Sequence, residues 1–277
     1  MNLDLYWIYD IPTPQLGIGI IAIYVTVSLA GLALLRGWFY RTFDITAEMN
    51  EMTNGIFSGV GVLYGLLVGL VAVAAWQNYD SVDEIVSREA AMTAALYRDV
   101  SALKSPQRER MQQHIQNYLT GVIDIAWPLH RKGQTDTEGA RVLSTLHAEL
   151  ADYKPLPGAD DDLFREALSA FNRLAEARRL RLGEVNTGIP AVFWIVIVTG
   201  ALLTLPLIYL FHTTGLSTHV IVTLIYGLFM GSMIFLLIAV DNPLRGDVSI
   251  SSEAYQAVLK NLANLDPQHW RSTSRHP

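Results

Sequence analysis

The chain has 277 residues, of which 51% are hydrophobic and 17% charged, and its formal net charge is −6. It has no cysteine, which excludes disulfides, zinc–thiolate sites and thiol catalysis. No basic stretch is interleaved with aromatics, so nucleic acid is not an expected partner.

Four runs contain no Asp, Glu, Lys, Arg or His: Ile11–Leu35, Thr53–Tyr79, Val185–Phe211 and Val220–Val240. Each reaches the ~20 residues that a helix needs to cross a bilayer core. The first run is too long for a cleaved leader, and no Lys or Arg precedes Arg36, so it reads as a permanent helix. Between the second and third runs lies a polar segment, Asp80 to Glu184.

Four crossings put both termini and the polar segment on one side. That side carries Arg88, Arg173, Arg178, Arg179, Arg181, Arg245 and Lys260, against Arg36 and Arg41 on the other. The excess predicts a cytoplasmic segment and cytoplasmic ends, in a multi-pass protein of the cell inner membrane.

The polar segment reads as helices. Val82, Ile85, Val86, Met92, Leu96, Val100 and Leu103 recur at three-and-four spacing. Ser105-Pro106 ends that helix and starts another, which runs through Met111, Ile115, Tyr118, Leu119 and Val122 to Trp127-Pro128. Residues 131–139 read as a loop. A shorter helix comes next with Val142, Leu143, Leu146 and Leu150, then a turn at Lys154–Gly158. Asp160, Asp161 and Asp162 open a long helix as its N-terminal cap. A last helix starts at Ser251 or Ser252 with Glu253 in its first turn.

No ionisable residue lies inside the crossings. Coupled transporters keep a carboxylate, His or Arg there to partner the moving charge, whereas a passive pore has no such need. The second crossing is two-sided. At 100° per residue, Asn54, Phe57, Ser58, Gly61, Tyr64, Gly65, Val68, Gly69, Ala72, Ala75, Trp76 and Tyr79 share one half, and Leu63, Leu66, Leu67, Leu70 and Val73 the other. The first half suits a protein contact or a pore wall, with bulky rings as constrictions. The leucine half suits lipid. Gly61, Gly65 and Gly69 form a close-approach ladder that also serves packing within a bundle, as do Gly227 and Gly231 in the fourth crossing.

After the fourth crossing comes Asp241-Asn-Pro-Leu-Arg-Gly-Asp247. Its acids either hold Ca²⁺ or cap helices and pair with Arg, and the second reading is preferred. Arg178, Arg179 and Arg181 sit where a helix approaches the membrane. They would contact anionic headgroups or form a positive field at a cytoplasmic mouth. No His-Glu-x-x-His, phosphate loop or nucleophile elbow occurs, so an enzyme is not expected.

The stretches Tyr64–Gly69, Trp76–Tyr79, Arg88-Glu-Ala90, Leu96-Tyr-Arg-Asp99, Tyr118, Trp127-Pro128, Arg178–Arg181 and Asp241–Asp247 resemble, in order, the bacterial bestrophin-like family. More distantly, the topology is similar to that of bestrophins, pentameric anion channels whose second transmembrane helix lines a central pore. The resemblance implies an all-α membrane protein, four transmembrane helices with a helical cytosolic domain between the second and third, oligomeric around a central axis. The expected divisions are 1–79, 80–188, 189–240 and 241–277. The expected function is an oligomeric, anion-conducting channel, pentamer favoured, with Phe57, Gly61, Tyr64, Gly65, Val68, Ala72 and Tyr79 lining the pore. The alternative is a non-conducting scaffold or sensor that binds a partner through the cytosolic helices. The acidic run found after the Pro in bestrophins is absent here, so no cofactor is expected beyond a weak Ca²⁺ site at Asp241 and Asp247.

Overall fold

The computed structural model describes residues 5–43 and 45–265, all helix and connecting turns. Among the described residues nine α-helices run in chain order: α1 Thr13–Thr42, α2 Met49–Val100, α3 Gln107–Gly121, α4 Trp127–His130, α5 Glu138–Asp152, α6 Ala159–Gly183, α7 Ala191–Tyr209, α8 Leu216–Asp241 and α9 Glu253–Leu265. Four of them, α1, α2, α7 and α8, carry stretches long and apolar enough to cross a membrane. The chain divides into two compact units. One comprises 1–79, 188–242 and 246–248, and the other 80–187, 243–245 and 249–277.

In the membrane unit, α1 and α8 pack closely because glycines of α8 face the α1 backbone at Ile21 and Val25. A Cβ on Gly231 would stand 2.9 Å from Ile21 Cα, and one on Gly227 would stand 3.3 Å from Val25 Cα. With no side chain between them the two backbones touch, which is how helices associate where lipid removes the hydrophobic driving force. The tyrosines then tie the bundle through backbone carbonyls. Tyr24 donates to Ala201 O (2.7 Å), Tyr64 to Ile197 O (2.8 Å) and Tyr209 to Ser28 O (2.8 Å). Each bond gives a phenol a partner in a region where water is scarce.

In the polar unit, Leu96, Met111, Ile115, Leu119, Leu146, Leu150 and Leu174 are fully buried. They lie on the stripes that the sequence spacing predicts. The α2 helix runs unbroken for 52 residues, so the crossing and the helix that begins at Val82 are one element. Between α3 and α4 the chain makes a π-turn over Val122–Ala126, closed by the Trp127 N–H to Val122 O bond. The wide turn re-aims the next four residues, and Trp127 and His130 come to face the core.

The acids that open α6 do not cap it. The N-cap is Gly158 at φ 99°, with no side-chain bond. Asp160 instead accepts from Leu156 N (2.6 Å) and Tyr153 OH (3.0 Å) and pairs with Lys104 (3.2 Å). The backbone bond foremost holds its carboxyl below the usual range.

Candidate functional site

Two features stand out: a bare face on the membrane section of α2, and a buried charged cluster in the polar unit.

The packing of α2 sets Phe57, Tyr64 and Val68, expected on a pore wall, against other helices of the same chain. Thr53, Val68, Val71 and Ala75 are buried within the chain. Phe57 packs edge-on against Phe211, 5.8 Å between ring centres, and also meets Tyr226. The Tyr64 ring fills the space over Gly200, where any Cβ would collide with it, and its hydroxyl holds the Ile197 carbonyl. These rings pack on the chain's own helices. The covered strip of α2 is narrower than the half the periodicity predicts, and the uncovered face draws Ser58 and Gly69 from the small-residue half and Leu66, Leu70 and Val73 from the leucine half.

The uncovered face holds Gly55, Ser58, Gly59, Val62, Leu66, Gly69, Leu70 and Val73, with Glu51 and Gln77 at its ends. Val62 is 70% exposed and Leu66 60%. A Cβ on Gly55, Gly59, Gly61, Gly65 or Gly69 would meet nothing within 4 Å. The Gly61–Gly65–Gly69 ladder therefore serves no packing within the subunit. Ala72 is half-buried between the two faces. Tyr79 stacks on Trp76 with ring centres 5.8 Å apart and donates to Val248 O at 3.0 Å.

In the polar unit, Arg181 is 1% exposed and Glu89 is fully buried. Arg181 Nε donates to Glu89 Oε2 at 2.7 Å, and Nη2 reaches Glu89 Oε1 at 3.2 Å. The same carboxylate takes the Tyr118 hydroxyl, while Arg181 Nη1 meets His130 Nε2. His130 Nδ1 lies 3.0 Å from the Gln134 carbonyl. A carbonyl only accepts, so Nδ1 carries the hydrogen and Nε2 offers its lone pair to Arg181. Trp127 and Tyr255 close the cluster around the guanidinium, at 5.8 and 6.0 Å from ring centre to Arg181 Cζ. Burial, reinforced by Arg181, lowers His130 to about 4. Burial, then Glu89, pushes the Tyr118 and Tyr255 hydroxyls well up. Burial works to discharge Arg181, and the facing Glu89 more than offsets it, so the guanidinium is held charged.

This placement corrects the basic mouth. Arg181 is interior and paired, and Arg178 is half-buried beside Gly139; Arg179 alone of the three is exposed. The sequence held a signal for the cluster. Val82, Val86, Glu89, Thr93, Leu96 and Val100 share one buried stripe, as do Ala167, Ala170, Leu174, Ala177 and Arg181. A charge at each apolar slot marks a buried pair.

The acids after α8 are structural. Asp241 accepts from Tyr9 OH (2.7 Å), Ile189 N (2.5 Å) and Asn242 Nδ2 (2.9 Å), and Asp247 accepts from Thr13 N (3.0 Å). Among the described residues no three acids, histidines or cysteines gather around a point. Arg245 of the same motif bonds Asn186 Oδ1 at 3.0 Å and lies over Gly133, which holds φ +67°.

Four apolar helices and a separate helical unit with a buried ion pair define an α-helical membrane protein. Residues 22–255 match the Bestrophin-like domain, and the chain belongs to that family. No curated protein matches it. The fold is similar to crystal structures of a bacterial bestrophin homologue from Klebsiella pneumoniae. A point mutant gives TM-score 0.67 at 14% identity, covering 91% of this chain and 99% of that one. A form phased on zinc gives 0.65 at 14%, covering 94% and 99%. A further membrane-protein mutant gives 0.66 at 13%, covering 91% and 99%.

Proposed function

We propose that the protein is an oligomeric ion channel whose pore is lined by the uncovered face of α2, each subunit supplying one wall. The observation that carries this reading is that face itself. It is glycine-rich and apolar, free of partners within the subunit, and flanked by polar residues at both ends. Lipid alone would favour bulk there, not bare backbone. Val62, Leu66 and Leu70 are the candidate narrowing. Family membership supports the reading. The resemblance to bestrophins supports anions as the conducted species and a pentamer around a closed cyclic axis. The polar unit and both chain ends are assigned to the cytoplasm, and the protein to the inner membrane.

One observation favours cations as a second reading. From Met49 to Ser87, α2 carries Glu51, Asp80, Asp83 and Glu84 and no Lys or Arg. Rings of carboxylates favour cations. Recording reconstituted protein in planar bilayers under a chloride gradient, with the cation varied, tests both. Reversal near the chloride potential supports the anion channel, and reversal near the cation potential supports the second reading. Silence from assembled protein overturns the channel and leaves a membrane scaffold.

A further inference from the structure

We propose that the end of the membrane unit where α7 turns into α8 holds a binding site for one small oxyanion that retains a proton, with Arg36, His219 and Thr223 as binding residues. Five buried polar atoms there have no hydrogen-bond partner: Arg36 Nε, His212 Nδ1, Thr213 Oγ1, His219 Nδ1 and Thr223 Oγ1. The frame around them is already complete. Tyr40 donates to Phe211 O at 3.0 Å and accepts from Thr213 N at 3.1 Å. Asn50 exchanges two bonds with the His212 backbone, at 3.0 and 2.7 Å. The Arg36 guanidinium lies over the Tyr40 ring, 4.5 Å from its centre. The bare atoms are held in place by these contacts rather than left over from a loose turn.

His219 is 1% exposed and Thr223 fully buried. A buried polar atom without a partner is destabilising, so two such atoms one turn apart on α8 call for an occupant. His219 Nε2 lies 3.0 Å from the Ile208 carbonyl, so Nε2 carries the hydrogen and Nδ1 presents a lone pair. Several helical hydroxyls elsewhere in the chain donate to the carbonyl four residues back, among them Ser28, Thr93, Ser101, Thr145 and Ser232. Thr223 does not, although it sits one turn from His219 on the same helix.

The donor set selects the ligand. Arg36 is a fixed positive charge with no ion pair among the described residues, which repels cations. A halide answers that charge but brings no hydrogen for His219 Nδ1. Water answers the hydrogen bonds and leaves the charge. An oxyanion with a remaining O–H does both: its charged oxygens face Arg36 and the threonine hydroxyls, and its O–H donates to His219. Hydrogencarbonate is the smallest such ion. The site lies within one subunit and off the uncovered face of α2, so it stands independently of conduction.

The test is the melting temperature of detergent-purified protein at fixed, mildly alkaline pH and fixed sodium, exchanging chloride for hydrogencarbonate or nitrate. A ligand that binds only the folded state raises it with concentration. The expected result is a saturable rise in hydrogencarbonate alone, lost in Arg36→Gln and in Thr223→Val. The valine keeps the shape of the site, so the test survives a folding defect in the arginine variant. Equal melting in all three salts, chloride matching hydrogencarbonate, or a rise retained by Thr223→Val overturns the proposal. Protein that is silent in bilayers yet passes this test keeps the site and loses the channel; the reverse result removes the site alone.

Discussion

Arg181 and Glu89, 92 positions apart in the chain, form an ion pair of 2.7 Å with essentially no exposure to solvent. Taking both charges out of water is costly, and leaving one behind alone is costlier. Arg181→Met or Glu89→Leu is therefore expected to destabilise the polar unit by about 3–5 kcal/mol. The double variant, with both charges gone, should recover most of that loss. Melting of the three variants decides it: a double variant no better than the singles would mean that the pair's other bonds, to Tyr118 and His130, dominate.

Acid should weaken the same cluster through His130. Its folded pKa, about 4, lies below the free value of 6.5, so the unfolded chain binds the extra proton first. Stability is full above pH ~6.5, falls as pH drops through the window and levels off below ~4. A shift of this size is worth about 3 kcal/mol across the window. The protonated ring would turn an N–H toward the Arg181 guanidinium. Comparing denaturation of wild type and His130→Asn at stepped pH isolates the contribution, and parallel curves would show that other groups set the acid response.

Gly133 should not tolerate a side chain. Its φ of +67° disfavours any L residue, and a Cβ there would overlap the Arg245 guanidinium. Gly133→Ala is expected to cost about 1–3 kcal/mol through backbone strain and displacement of Arg245 from Asn186. Arg245→Ala in the same background should relieve only the steric part. Protease resistance of the polar unit reports both.

The two faces of α2 should respond differently. Tyr64→Phe removes one bond to a carbonyl inside the subunit and should cost about 1 kcal/mol with conductance kept. Leu66→Ala on the uncovered face should change conductance and leave subunit melting nearly unchanged. Gly65→Ala should leave the isolated subunit as stable or slightly more so, by about 0.5–1 kcal/mol from helix propensity, while altering assembly or current. Bilayer recording paired with melting separates the cases. Altered current in Tyr64→Phe with none in Leu66→Ala would return the pore to the face that packs on α7.

The fold was legible because its signals are one-dimensional. Charge-free runs mark α1, α2, α7 and α8, and three-and-four spacing marks α3, α5 and α6. The site was not, because it depends on which neighbour covers which face. Phe57 and Tyr64 read as rings on a small-residue face, yet the two rings pack on α7 and α8 while Gly61, Gly65 and Gly69 beside them stay bare. Arg181 read with Arg178 and Arg179 as one basic patch, although at ~100° per residue Arg178 and Arg181 share the inward face and Arg179 points away. Gly133 sat in a loop with nothing to reveal that Arg245 would lie across it.

The five bare glycines of α2 have a consequence for sequence change. Glycine can be replaced only by something larger. At Gly200 or Gly231 the added atom overlaps a neighbour within the chain and works against folding. At Gly55, Gly59, Gly61, Gly65 and Gly69 the fold offers no resistance, so substitutions there escape that filter. In a cyclic assembly each one is copied once per subunit, so a single methyl becomes a ring of methyls. On the proposed channel reading every such substitution narrows the pore, and its effect falls on conduction rather than on the stability of the chain.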